Sequence, residues 1–266
     1  MLSSASLENL LKRDRFIIMG GLFFITLLSW LYIIYLYNQM TYMDMNALFF
    51  AMPMTPTWTA TDFTLLFLMW VVMMIAMMTP SVAPLILIFA TVNRQRKLQE
   101  RPFVNSAYLA AGYFLIWTAF SLAATALQWG LQQIALLNPD MIVTSRLLAG
   151  ITLIAAGIFQ FTPLKQTCLK HCRTPLSFIL QRWKEGKQGA LQMGIENGFY
   201  CLGCCWMLMV ILFVVGIMNL LWIALIAVFV LVEKISPQTK WIPYAAGIVL
   251  IGYGLFVLVS YKYAIS

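Results

Sequence analysis

Three cysteines stand close together inside an apolar run, and they are the residues of the chain best suited to chemistry. The run at 196–209 reads E-N-G-F-Y-C-L-G-C-C-W-M-L-M, which places Cys201, Cys204 and Cys205 within five residues. Spacings of three and four residues share one face of a helix, so the pattern predicts a single patch of thiols. Sulfur ligands select soft ions, above all Cu(I) and Zn(II). We therefore expect a metal site here, with Cu(I) as the first choice and zinc as the alternative.

A second group combines two cysteines with the one histidine of the chain. Cys168, His171 and Cys172 form a C-x-x-H-C pattern within the polar segment 162–189, which we interpret as a basic loop on the cytoplasmic side. If this part of the segment is helical, the three side chains share a face. Thiolate and imidazole together suit zinc or copper. We expect the two groups to form two ends of one site, or this group to act as a relay for the first.

Methionine is abundant, with 17 residues, and the thioether groups concentrate in two places. The segment 38–61 carries five of them and no Lys or Arg, and we predict that it collects metal through Met43 and Met45. Thioethers bind Cu(I) without having to lose a proton. Met73 and Met77 are four residues apart in a later apolar segment. They are candidates to line a path for the metal, although filling gaps in the core is the ordinary role of methionine.

The composition indicates how these residues are positioned. The chain has 266 residues, of which 62% are hydrophobic and only 10% charged, whereas soluble proteins carry about 25% charged residues. We therefore predict an all-α bundle of about seven membrane-spanning helices in a single domain, 1–266. The predicted spans are 16–37, 62–92, 103–129, 146–161, 190 to a turn at 216–219, 220–232 and 241–260.

The distribution of basic residues predicts the orientation and accounts for the net charge of +8. With the N-terminus in the cytoplasm, 15 of the 17 Lys and Arg residues fall inside, and only Arg146 and Lys262 fall outside. The positive net charge is thus explained by basic loops beside membrane lipid, and we expect no nucleic-acid partner. Because the chain has one His and few acids, we do not expect an enzyme that works by acid–base hydrolysis.

Several stretches resemble a bacterial family of predicted metal-binding integral membrane proteins, some of which are described as copper chaperones that accompany polyphenol oxidases such as tyrosinase. The resemblance covers about 60–235. It implies a multi-pass protein of the bacterial inner membrane with a copper-dependent client enzyme. A His often stands in the family at the position of Asn197, so one candidate ligand is absent here. The matching stretches are M-W-V-V-M-M-I-A-M-M-T-P at 69–80, P-L-K-Q-T-C-L-K-H-C-R-T-P at 163–175, W-K-E-G-K-Q-G-A-L-Q-M-G at 183–194, C-L-G-C-C-W-M-L-M at 201–209, G-I-M-N-L-L-W at 216–222 and Glu233-Lys234.

Three functions remain open at this point. The first is the handling or delivery of Cu(I) by a membrane copper chaperone, which both the sulfur ligands and the resemblance favour. The second is a membrane redox protein that uses the thiols as a dithiol couple or holds haem. The third is an assembly partner in the membrane whose cysteines pack as small hydrophobic residues.

Overall fold

The computed structural model describes residues 4–42, 58–100, 102–137, 142–236 and 241–263. Within these ranges the chain folds into ten α-helices and no β-strand, which confirms the all-α prediction. The helices are α1 Ser4–Tyr42, α2 Ala60–Leu98, α3 Ala107–Gln133, α4 Arg146–Phe159, α5 Pro163–Arg173, α6 Pro175–Gln181, α7 Gly186–Val210, α8 Leu212–Val215, α9 Leu220–Ile235 and α10 Trp241–Tyr263.

Five helical segments of the described ranges are long and apolar enough to cross a membrane. A sixth arises if α4 and α5, which meet at an angle of 61°, are counted as one broken span. The predicted count of seven stays a prediction, because α9 has only 16 residues and a span needs about 20. The cytoplasmic position of the N-terminus also stays a prediction. The five segments are Arg15–Gln39, Ala60–Lys97, Ala107–Gln133, Gly186–Val215 and Trp241–Ser260.

The helix boundaries follow from capping residues and one glycine. Thr59 forms a reciprocal capping box with Asp62 at the start of α2. Gly216 has a φ of +102°, a conformation that glycine adopts readily, and it ends α8. The Asn219 side chain then accepts a hydrogen bond from the backbone amide of Trp222 and starts α9. The break therefore lies at 216–219, where the sequence predicts a turn.

The segment 162–189 differs from the predicted loop, because most of it is helical. Thr162 accepts a hydrogen bond from the Lys165 amide at the start of α5, and Pro163 occupies the first turn, where its missing N–H is not needed. Pro175 likewise occupies the first turn of α6, where Thr174 makes no capping hydrogen bond. The apolar residues Leu169, Phe178 and Ile179 are buried, and their burial explains why a segment rich in charge folds onto the bundle.

Helix α7 is the element that organises the site. It packs against α3 and α5, while α2 packs mainly on α1 and α3, and α10 packs on α4. The contact between α3 and α7 depends on glycine: a Cβ atom at Gly112 would collide with the Leu191 carbonyl oxygen, and one at Gly194 with the Leu109 carbonyl oxygen. Small residues at such positions let helix backbones approach closely.

Candidate functional site

The structure brings all five cysteines to the contact between α5 and α7. We call Cys168, Cys172, Cys201, Cys204 and Cys205 the thiol cluster. The absence of a side chain at Gly203 makes room for α5, since a Cβ atom there would lie 2.8 Å from the Cys168 sulfur. The Cys172 and Cys204 thiols are close enough to interact as hydrogen-bond partners. The cysteines of the two predicted groups thus lie at the same helix contact.

Within α7 the three predicted ligands share one buried face, as their spacing predicts. The thiols of Cys204 and Cys205 both donate to the Cys201 carbonyl oxygen, with sulfur–oxygen distances of 3.0 Å and 2.9 Å. All five cysteines of the chain are free thiols. Because the carbonyl groups of a helix are already occupied by backbone amides, these additional hydrogen bonds from the thiols are weak. They are easily exchanged for a stronger interaction.

The Cys201 sulfur differs from the others because two polar side chains from other helices converge on it. The Lys234 ammonium nitrogen of α9 donates to it over 2.8 Å, and the Tyr113 hydroxyl of α3 lies 2.9 Å away. Lys234 is 8% exposed and Cys201 is 1% exposed. Hydrogen bonds to a sulfur in such a dry site stabilise a negative charge on it.

A buried ion pair stands next to this arrangement and joins α5 to α9. The Lys165 ammonium lies 2.8 Å and 3.0 Å from the two Glu233 carboxylate oxygens, and both side chains are almost fully buried. The same ammonium also contacts the Gln160 side chain, and the Arg173 guanidinium donates to the Glu233 backbone carbonyl over 2.7 Å. Buried charges persist only when they are paired and hydrogen-bonded, and here each is.

His171 lies beside the thiol cluster, with its ring on a different neighbour. The imidazole stacks in parallel on the Tyr200 ring at a centroid distance of 4.2 Å. Its Nδ1 lies 2.9 Å from the Thr167 carbonyl oxygen, so Nδ1 carries the proton. With Nδ1 engaged in this way, Nε2 is the nitrogen that remains to bind a metal ion.

The predicted methionine ligands have different positions in the structure. Met73 and Met77 are each 1% exposed and belong to the same apolar core as the thiol cluster. They lie on α2, which is packed mainly against α1 and α3, and their role as metal ligands stays a prediction. Met43 and Met45 lie outside the described residues.

Of the soft metal ions, Cu(I) needs the fewest ligands, because it accepts as few as two sulfurs. Within the described ranges no three His, Cys, Asp or Glu side chains form a ready metal-binding group. In the described conformation two of the α7 thiols hydrogen-bond to a carbonyl. A rotation of these side chains about χ1 would turn their sulfurs from that carbonyl.

Comparison with known proteins agrees with this chemistry. The sequence model of PpoB2, described as a copper chaperone, matches residues 67–257. The chain belongs to this family. The match to the PpoB2 family includes every residue of the thiol cluster, together with Tyr113 and Lys234. No curated protein and no solved structure matches the chain.

Sequence reasoning gave no role at this site to four polar residues of this PpoB2 family member: Tyr113, Lys165, Glu233 and Lys234. The pair Glu233-Lys234 reads as the end of an apolar span, yet both side chains are buried. For Lys165 a signal exists, because it lies three and seven residues before Cys168 and Cys172 and thus on the same helical face. Tyr113 has no such signal, since only the packing of α3 on α7 brings it to Cys201.

Proposed function

We propose that this member of the PpoB2 family is an integral membrane copper chaperone that carries Cu(I) on its thiol cluster. Family membership supports the copper cargo. The five long apolar segments support insertion in a membrane. The observation on which the proposal rests is the convergence of Cys172, Cys201, Cys204 and Cys205 in a buried site between α5 and α7.

The α7 cysteines are proposed as the principal ligands. Cu(I) binds two or three sulfurs, and the thiols lose their protons when the ion binds. The Lys234 ammonium and the Tyr113 hydroxyl hold Cys201, which favours this sulfur as one ligand. The second comes from Cys204 or Cys205, whose sulfurs lie on the same helical face. Zinc, which prefers four ligands in structural sites, is the alternative ion.

Cys168, His171 and Cys172 are proposed as a relay through which the ion enters or leaves the α7 site. Cys172 is only half-buried and interacts with Cys204, so it connects the buried thiols to the surface. The Nε2 atom of His171 is the outer donor of this set, because the Thr167 carbonyl occupies Nδ1.

The methionines are proposed to serve the metal on the other side of the bundle. Met43 and Met45 would collect Cu(I), and Met73 and Met77 would line a path in the core. Thioether sulfurs bind Cu(I) without losing a proton. The charge distribution supports the placement of the thiol cluster on the cytoplasmic side of a bacterial inner membrane. The recipient would be a copper-dependent client enzyme, as the chaperone name of the family suggests.

The proposal is tested by measuring copper on protein purified in detergent under anaerobic conditions with Cu(I). We expect the wild-type protein to retain Cu(I). The variant in which Cys201, Cys204 and Cys205 are all replaced by Ser should retain almost none, because hydroxyl groups do not replace soft thiolates. Leu202→Ser is the matched control, since it adds a hydroxyl to the same stretch of α7 and keeps every sulfur.

Two results would refute the proposal: wild-type protein without bound Cu(I), or a triple variant that retains as much as wild type. The same measurement addresses a dithiol redox function, which the contact between Cys172 and Cys204 favours as second candidate. A redox protein of that kind would bind no stoichiometric Cu(I) under reducing conditions.

A further inference from the structure

Lys234 is an unusual neighbour for a set of metal ligands, because its ammonium group brings a positive charge to a place where a cation is to bind. Its nitrogen lies 2.8 Å from the Cys201 sulfur, and the residue is 8% exposed. A lysine is almost never buried unless it is paired. Its position against a thiol therefore needs an explanation. Any role for Lys234 in metal binding rests on the proposed function, in which the thiol cluster holds Cu(I).

The charges around Lys234 leave its ammonium uncompensated by a carboxylate. Glu233, the adjacent residue, is paired with Lys165, so these two charges cancel. Arg173 is half-buried at the end of α5 and its guanidinium donates to the Glu233 backbone carbonyl, whereas the Lys234 ammonium touches a sulfur directly. Among the residues that the structure describes, Lys234 forms no salt bridge with Asp or Glu, and its close partner is sulfur.

We propose that Lys234 determines the metal preference of the thiol cluster, because a site of two thiolates and this ammonium group is electrically neutral with a monovalent ion and not with a divalent one. Cu(I) with two thiolates carries one negative charge, which the ammonium group cancels. A buried site without net charge avoids the large cost of removing an ion from water without a counter-ion.

A divalent ion does not reach neutrality with the same ligands. Zn(II) with two thiolates is neutral by itself, and the ammonium group then leaves one excess positive charge in the buried site. Neutrality with Zn(II) requires a third thiolate. Lys234 thus penalises a divalent ion at a two-sulfur site and acts as a positioning and specificity residue that touches a ligand and not the metal.

The test compares Cu(I) and Zn(II) affinities of the full-length protein in detergent, measured anaerobically by competition with a colorimetric chelator for each metal. Lys234→Met keeps most of the side-chain volume and removes the charge, whereas Lys234→Arg keeps the charge. Lys170→Met is the matched control, because Lys170 is exposed on α5 and the substitution removes a positive charge close in sequence to Cys168 and Cys172. X-ray absorption counts the sulfurs around each bound metal.

We expect Lys234→Met to lower Cu(I) affinity by about 10- to 100-fold, the range seen when a residue supporting a metal ligand is lost. Zn(II) affinity should fall less, so the Cu(I)/Zn(II) ratio declines. Lys234→Arg and Lys170→Met should keep the ratio of the wild type. A purely structural role for Lys234 would lower both affinities together and would overturn the inference, as would an equal change of the ratio in Lys170→Met.

The sulfur count of the wild-type protein gives a result that does not depend on the folding of a variant. We expect two sulfurs around Cu(I) and three around Zn(II), and three around Cu(I) or two around Zn(II) would overturn the inference. If the wild-type protein binds no Cu(I), the proposed function itself fails. If it binds Cu(I) and Lys234→Met leaves the ratio unchanged, only the role of Lys234 fails.

Discussion

Helix α7 meets α3 on one face and α5 on another, and the two contacts are built from different kinds of residue. Toward α3, Gly194 and Gly112 bring backbone against backbone. Toward α5, the contact consists of thiols beside Gly203. A contact between backbones has a fixed distance, whereas cysteine side chains can rotate. The difference indicates that α3 fixes the position of α7 and Tyr113, whereas the side chains toward α5 can adjust.

The largest expected loss of stability comes from the Lys165–Glu233 ion pair, which joins α5, on the adaptable side of α7, to α9. Glu233→Leu leaves the fully buried Lys165 ammonium without its carboxylate, and the loss of one partner of such a pair costs about 3–5 kcal/mol. We expect the free energy of unfolding in mixed detergent micelles, measured by titration with SDS, to fall by this amount. The double variant Lys165→Met/Glu233→Leu should recover most of it, since it buries no charge. A single variant as stable as wild type would show that the pair does not hold α5 to α9.

A smaller effect is expected from the glycine contact. Gly194→Ala places a Cβ atom against the Leu109 carbonyl oxygen, and overpacking of this kind costs about 1–3 kcal/mol. Gly252→Ala is the control, because a Cβ atom at that position on α10 meets nothing within 4 Å. The same SDS titration should show a loss for the first variant and none for the second. Equal stability of both would mean that α3 and α7 separate without cost and that this face is not rigid.

The smallest loss of stability is expected from the hydrogen bond between Tyr113 of α3, on the rigid side, and the Cys201 sulfur. Tyr113→Phe keeps the ring and removes the hydroxyl that lies 2.9 Å from the Cys201 sulfur. A hydrogen bond of this type contributes about 0.5–1.5 kcal/mol. We expect a loss of this size in unfolding free energy and a smaller loss of Cu(I) affinity than in Lys234→Met. Tyr253→Phe on the exposed side of α10 should change neither quantity. A larger loss of affinity than in Lys234→Met would make Tyr113 the main support of Cys201.

The residues of the thiol cluster could be predicted from the sequence because their spacing is local. Three cysteines within five residues, or a C-x-x-H-C pattern, share a helical face wherever the helix lies. The partners of Cys201 could not be predicted in this way. Tyr113 and Lys234 come from helices far along the chain, and only tertiary packing places them on the same sulfur.

The fold shows the same division between local and distant information. The lengths of the apolar stretches in the sequence predict most of the helices, and Gly216 and Asn219 mark the break before α9. The segment 162–189 reads as a loop because its charged residues dominate its composition. Its helices form because Leu169, Phe178 and Ile179 find a core to bury in, which the segment itself does not reveal. The charge pattern of Glu233-Lys234 misleads for the same reason, since a residue is solvated or buried according to what packs over it.

The missing side chain at Gly203 allows the two halves of the thiol cluster to approach, because a Cβ atom there would lie only 2.8 Å from the Cys168 sulfur. The width of the sulfur site is thus specified by a residue that contributes no ligand atom. Any larger residue at 203 would act as a spacer, moving the α5 sulfurs away from the α7 sulfurs while every cysteine stays in the chain. Position 203 therefore controls the geometry of the site independently of its chemistry.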